Sequence, residues 1–213
     1  MAGNVKKIDG YEQFFDFVNK EKFFEFGLTN IISIDKEAAS TEWRSLVKRI
    51  HNRDNNLYVR NFGRGGQSNG VLSKLYKEVL GIQINYDPTN NNRPAALIER
   101  LTDLKRNKTI FNYQVSHVFG RTKNVFCFTA PWNIVFIPKL LDPLTGHEAK
   151  GDFVKDFSKR FQSKVFETFK EQIKEANIEM DEVRKKVVDW FKFNRTDNRI
   201  ESSIINEWKA IEI

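Results

Sequence analysis

Apolar positions recur at helical spacing along most of this chain and give way to strand-like runs in one stretch. From Tyr11 to about Phe26, YEQFFDFVNKEKFFEF puts Phe14, Phe15, Val18, Phe23 and Phe26 near one stripe, which predicts an amphipathic helix broken around Lys20. A second helix starts after Asp35, whose side chain caps it, and runs through Trp43, Leu46, Val47 and Ile50 to a polar stop, His51-Asn-Arg-Asp-Asn-Asn. The order continues with a short strand over 57–62 and a helix over 71–80, capped by Ser68 or Asn69 and ended by Gly81. A further helix carries Ala95, Leu97, Ile98, Leu101 and Leu104. Beyond Gly151, the phenylalanines at 153, 157, 161, 166 and 169, joined by Val165 and Ile173, form the packing stripe of a long helix. Lys155, Lys159, Arg160 and Lys164 fall on its other faces. A last helix over 181–191 and an apolar tail from Ile204 to Ile211 complete the pattern.

The exception lies between Phe111 and Gly151. Two strand-like runs, Phe111-Asn-Tyr-Gln-Val-Ser-His-Val and Asn133-Ile-Val-Phe-Ile-Pro, precede the long helix, giving the order strand, loop, strand, helix. The expected fold is therefore α+β, mostly helical and built around this unit. A helical region over 1–110, a core over 111–175 and a helical extension over 176–213 are expected to form one compact body.

Composition narrows the function classes. The chain has 213 residues, 40% hydrophobic and 30% charged, with 19 phenylalanines, which is a globular balance with enough apolar surface for a sizeable core. A formal charge of +7 and a pI near 9.4 favour polyanionic partners. One cysteine, Cys127, excludes an internal disulfide and Cys-rich zinc sites, and its apolar neighbours predict a buried structural thiol. No run approaches the ~20 apolar residues of a membrane span and the start lacks a signal-peptide core, so an intracellular protein without membrane contact is expected. The Gly63-Arg-Gly-Gly-Gln-Ser-Asn-Gly loop lacks the Lys-Ser/Thr ending of a phosphate-binding Walker loop. Its backbone, beside Arg60 and Arg64, is either a phosphate approach or an ordinary turn.

Two of the three histidines sit in the exceptional stretch; the third, His51, reads as a solvated helix-end residue. His117 falls near the end of the first strand, Asn133 at the head of the second and His147 just before the helix. A hydrolytic site needs a neutral imidazole to take a proton from water and a hard oxygen donor to hold a divalent cation against phosphate. His117 and Asn133 can supply those parts, and His147 can add a ligand or a hydrogen bond to phosphate.

The pieces VSHVFGR, PWNIVFIP and TGHEAKG, in the order His, Asn, His, resemble the HNH, or ββα-metal, nuclease superfamily over about Asn112 to Gly151. The resemblance implies a divalent-metal-dependent endonuclease that hydrolyses DNA phosphodiester bonds. His117 would be the general base, Asn133 the orienting or metal-binding residue and His147 the third member. Ser116 stands where most such motifs carry an acidic or histidine ligand, and the interval before His147 is long, which makes Asp142 and Glu148 alternative ligands. Few protein ligands imply a hydrated Mg²⁺, or Mn²⁺, rather than a zinc cage, and no structural zinc is expected. Arg60, Arg64, Arg121, Lys123, Lys150, Lys155 and Lys159 are the expected DNA contacts, with Arg121 alternatively facing the leaving phosphate. A type II restriction enzyme, cutting double-stranded DNA as a homodimer, is the first expected role. A low-specificity defence or toxin nuclease and a non-catalytic nucleic-acid-binding protein are the alternatives.

Overall fold

A computed structural model describes residues 8–63, 67–145 and 149–213. The N-terminal aromatic stripe is divided into α1 (Gly10–Phe15) and α2 (Lys20–Thr29). The break is a cap: the Asn19 side chain accepts the Lys22 amide at 2.9 Å and starts a new helix. Phe23 and Phe24 face inward, whereas Phe14 and Phe26 are 39% and 42% exposed, so the buried stripe is displaced from the expected one. Gly27 sets how closely α2 approaches the long helix, since a Cβ there would lie 2.6 Å from the Phe157 ring.

A strand that the pattern did not predict, β1 (Ile32–Ser33), precedes α3 (Lys36–His51). Asp35 caps α3 as expected, its Oδ1 accepting the amides of Glu37 and Ala38. The strand β2 (Leu57–Val59) is shorter than predicted because only these residues pair with β3 (Ile84–Tyr86), in parallel. The crossover between them is α4 (Gln67–Leu75) followed by a π-helical turn, Tyr76–Leu80. That helix starts earlier than expected and stops at Gly81, whose φ of 68° places it in the left-handed region. Next come α5 (Asn92–Thr102), β4 (Tyr113–His117) and β5 (Ile134–Pro138).

β4 and β5 pair antiparallel with His117 opposite Ile134, and β1 pairs with the other edge of β5. The central position of β5 explains why all five of its residues are buried: a strand covered on both faces reads as a continuous apolar run. A short helix, α6 (Asp142–Thr145), leads to α7 (Asp152–Thr168). The phenylalanine stripe of α7 is packing, with Phe153, Phe157 and Phe161 buried, each contributing about 2 kcal/mol by burial. The expected helix over 181–191 is the second half of α8 (Lys170–Phe193), and α9 (Asn198–Glu207) follows. Buried residues from Phe23 to Ile211 join one hydrophobic cluster that draws on all three expected regions. The fold is α+β and mostly helical, with a three-stranded and a two-stranded sheet. Among the described residues, no helix is long and apolar enough to cross a membrane.

Candidate functional site around His117

The loop between β4 and β5 is long, and a buried polar network fixes its path. Asn133 closes a 3-10 turn, Pro131–Asn133, directly ahead of β5. Its carboxamide is fully buried, and Oδ1 accepts the Phe119 amide at 2.9 Å. Nδ2 donates to the carbonyls of Gly120 and Cys127 at 2.9 and 3.0 Å, so one side chain ties both ends of the loop to the strand. Asn124, also fully buried, accepts the Phe126 amide and donates to the Glu207 carbonyl. The Tyr76 hydroxyl donates to the Lys123 carbonyl and accepts the Val125 amide, and burial raises its pKa well above the ordinary value.

His117 ends β4 beneath this loop. Its Nε2 lies 2.9 Å from the Phe128 carbonyl and its ring stacks on that of Phe128, with centroids 5.4 Å apart. A carbonyl only accepts, so Nε2 carries the hydrogen and Nδ1 of the neutral ring holds the free lone pair. Among the described residues Nδ1 has no partner. The residue is part-buried, and burial pushes its pKa from the ordinary 6.5 to about 4. The Phe128 carbonyl and Asp87 raise it against this trend, while the Arg60 guanidinium lowers it further.

Arg60 and Asp87 show which other part of the molecule borders the site. The Arg60 amide donates to the Thr122 carbonyl at 2.8 Å, which joins the end of β2 to the His117 loop. The Arg60 side chain is exposed and makes no hydrogen bond or ion pair among the described residues. Asp87 is fully buried; its amide donates to the Val59 carbonyl, and its carboxylate accepts the amides of Thr89, Asn92 and Arg93. It caps α5 from five residues upstream, in place of the adjacent Asn91.

Ser116 and His117 line opposite faces of β4, as strand alternation requires. The Ser116 hydroxyl meets Thr145 of α6 at 3.2 Å, so the His117 ring and the start of the helical segment lie on different faces. His147, Glu148 and Arg64 lie outside the described residues. The expected cation ligands therefore come together only in part. Asn133 is a scaffold, with its oxygen and both N–H groups engaged, and the same holds for the hydroxyl of Ser116. Asp142 also has an interaction of its own, and no group of three His, Cys, Asp or Glu residues suited to a metal occurs among the described residues. Asn133, Ser116 and Asp142 do not by themselves assemble a cation site.

Two expected DNA contacts are engaged inside the protein. Lys123 pairs with Glu207 at 3.5 Å and lies over the Phe62 ring, and Arg121 donates to the Lys209 carbonyl. Lys150 and Lys159 are exposed, and Lys155 is an exposed residue paired with Asp152. His51 is exposed at the end of α3, 2.9 Å from Glu179, and Cys127 is fully buried with Sγ 3.6 Å from Met180 Sδ. Sequence reasoning missed Asn124 and Tyr76, whose partners Glu207, Lys123 and Val125 are distant from them in the chain, and Asp87, which caps α5 from five residues upstream. The one available signal was an Asp shortly before a helical run, which marks a cap.

The chain matches, over residues 34–212, the family model described as "Uncharacterised protein PM1201". It is similar to the protein of that description from Pasteurella multocida (strain Pm70), 44% identical over 182 residues that cover 84% of this chain and 83% of the relative. The chain therefore belongs to this family. No solved structure matches it.

Proposed function

For this member of the PM1201 family, we propose that the His117 loop is a hydrolytic site for DNA phosphodiester bonds, of the HNH-like kind. The observation that carries the reading is the Nε2 hydrogen bond of His117 to the Phe128 carbonyl at 2.9 Å, which leaves Nδ1 as a neutral, oriented base. Nδ1 takes a proton from a water, the resulting hydroxide attacks phosphorus, and the bond to the leaving oxygen breaks in line, that oxygen keeping the electron pair and taking a proton from solvent water. Arg60, whose charge already acts on the His117 ring, faces the charge that develops on the phosphoryl oxygens. A bound phosphate raises the His117 pKa toward neutrality and strengthens it as a base. Asn133 and Asp142, the described candidates for holding the divalent cation implied by the resemblance, each have partners within the protein. Site-specific cleavage of both strands by a homodimer is the finer form of the proposal.

The test is incubation of unmethylated plasmid and phage DNA with wild type and His117→Ala in Mg²⁺, Mn²⁺ or EDTA, followed by electrophoresis. Discrete bands lost in His117→Ala support a site-specific nuclease, whereas a smear supports a low-specificity one. DNA left intact in every arm favours a nucleic-acid-binding protein, a reading to which the engaged Ser116 hydroxyl and Asn133 carboxamide already lend weight.

A further inference from the structure

The two-stranded sheet carries a second feature, on the face turned away from the core. Alternation along β2 buries Leu57 and Val59 and turns Tyr58 outward; its partner in β3, Asn85, is likewise part-exposed. The first turn of α5 rises beside them, and together they border an open cleft of about 590 Å³. Its polar groups are pre-set. The Arg93 guanidinium lies over the Tyr58 ring, 4.0 Å from its centroid, and donates to the Tyr58 hydroxyl at 2.6 Å, which fixes the fork while leaving other N–H donors open. The Asn92 carboxamide has no partner among the described residues. Asn85 donates through Nδ2 to the carbonyls of Asn55 and Leu57, which holds the carboxamide in place with its oxygen as a fixed acceptor.

The cleft is coupled to the His117 site by Asp87. One carboxylate holds the amides of Asn92 and Arg93 at 3.1 and 2.6 Å, and its charge also reaches the His117 imidazole. Arg60 directly follows β2, two positions beyond Tyr58, so a chain bound across Arg60 has the cleft as its neighbouring contact.

We propose that the Tyr58–Asn92–Arg93 cleft is a base-reading subsite that recognises the N7 edge of a purine in the DNA substrate. An oriented guanidinium fork suits the O6 and N7 acceptors of guanine, and a free carboxamide suits N6 and N7 of adenine. A contact made only to phosphate would need neither the aromatic clamp on Arg93 nor the carboxamides. The subsite rests on the DNA-directed reading of His117 and assigns it a specificity element. The purine can be presented in the major groove or extruded from the helix, and the chemistry of its N7 edge is the same in both.

Selection from a randomised duplex pool, with wild type in EDTA and in Ca²⁺, followed by sequencing of the bound fraction, tests the assignment. The expected result is an enriched motif with at least one purine position. Arg93→Ala, Arg93→Lys or Asn92→Ala should lower discrimination there by about tenfold or more, through weaker binding to the motif, while affinity for duplexes lacking that purine stays within a few-fold. Replacing that purine by its 7-deaza analogue should weaken wild type similarly and leave the affected variant unmoved. A mismatch opposite the purine tightens binding only if the base is extruded. A motif unchanged in all three variants, or a uniform weakening in Arg93→Ala that Arg93→Lys restores, overturns the proposal in favour of no contact or a phosphate contact. If wild type cuts plasmid to a smear and enriches no motif, the subsite falls and the nuclease stands. A motif lost in the variants alongside uncut plasmid keeps the subsite and removes the nuclease.

Discussion

The His117 loop and the Tyr58–Arg93 cleft are neighbours that treat their polar groups in opposite ways. In the loop, Asn133 and Asn124 are fully buried and hydrogen-bonded to backbone groups, so their chemistry is consumed in holding shape. In the cleft, Asn92 and Arg93 are exposed and keep donors and acceptors open toward solvent. The first arrangement fixes one imidazole without offering much else to a ligand. The second offers recognition groups whose loss costs the fold little. The proposed chemistry and the proposed specificity can therefore be separated by mutation.

The largest expected effect falls on the loop. Asn133→Ala takes the partner from the Phe119 amide and the Gly120 carbonyl, both part-buried, and from the buried Cys127 carbonyl, and should lower unfolding free energy by about 4 kcal/mol in urea titrations. A loss under about 1 kcal/mol would show that the loop is held by other means.

Next in size is a pH effect centred on His117. The unfolded chain takes up a proton near pH 6.5, which the folded ring refuses until about 4. Its contribution to stability is thus fully present above 6.5 and is lost as pH falls through that window, amounting to roughly 3 kcal/mol by pH 4. Arg60 steepens the loss and Asp87 softens it. His117→Gln should flatten the wild-type slope between these pH values, and an unchanged slope would remove the buried-imidazole account.

The smallest effect belongs to the cleft. Asn92→Ala should change unfolding free energy by no more than about 0.5 kcal/mol, since the side chain is exposed and unpartnered among the described residues. A substantial loss there would dissolve the contrast, because the cleft would then be part of the scaffold.

Local chemistry determined a good deal of this molecule. Asp35 as a cap, Gly81 as a stop, the phenylalanine stripe of α7 and the apolar run of β5 all follow from residue type and spacing, since helix ends and buried faces are set within a few residues. The placement of His117 and Asn133 at the end and head of two paired strands was legible for the same reason. Their roles were not. Whether the Asn133 carboxamide faces a ligand or is used up by Phe119, Gly120 and Cys127 depends on the path of the loop. That path is set by Tyr76 and Glu207, each dozens of residues away in sequence. β1 was invisible because two residues carry no period and pair only once β5 is present. The cleft likewise exists only because the parallel pairing of β2 and β3 sets Tyr58 beside Asn85 and Asp87 anchors α5 alongside. Sequence determined most of the helices and the β4 and β5 strands, through local periodicity and capping; tertiary structure decided the short strands that exist only when paired, and which polar groups remain available, because that depends on how the loops are packed.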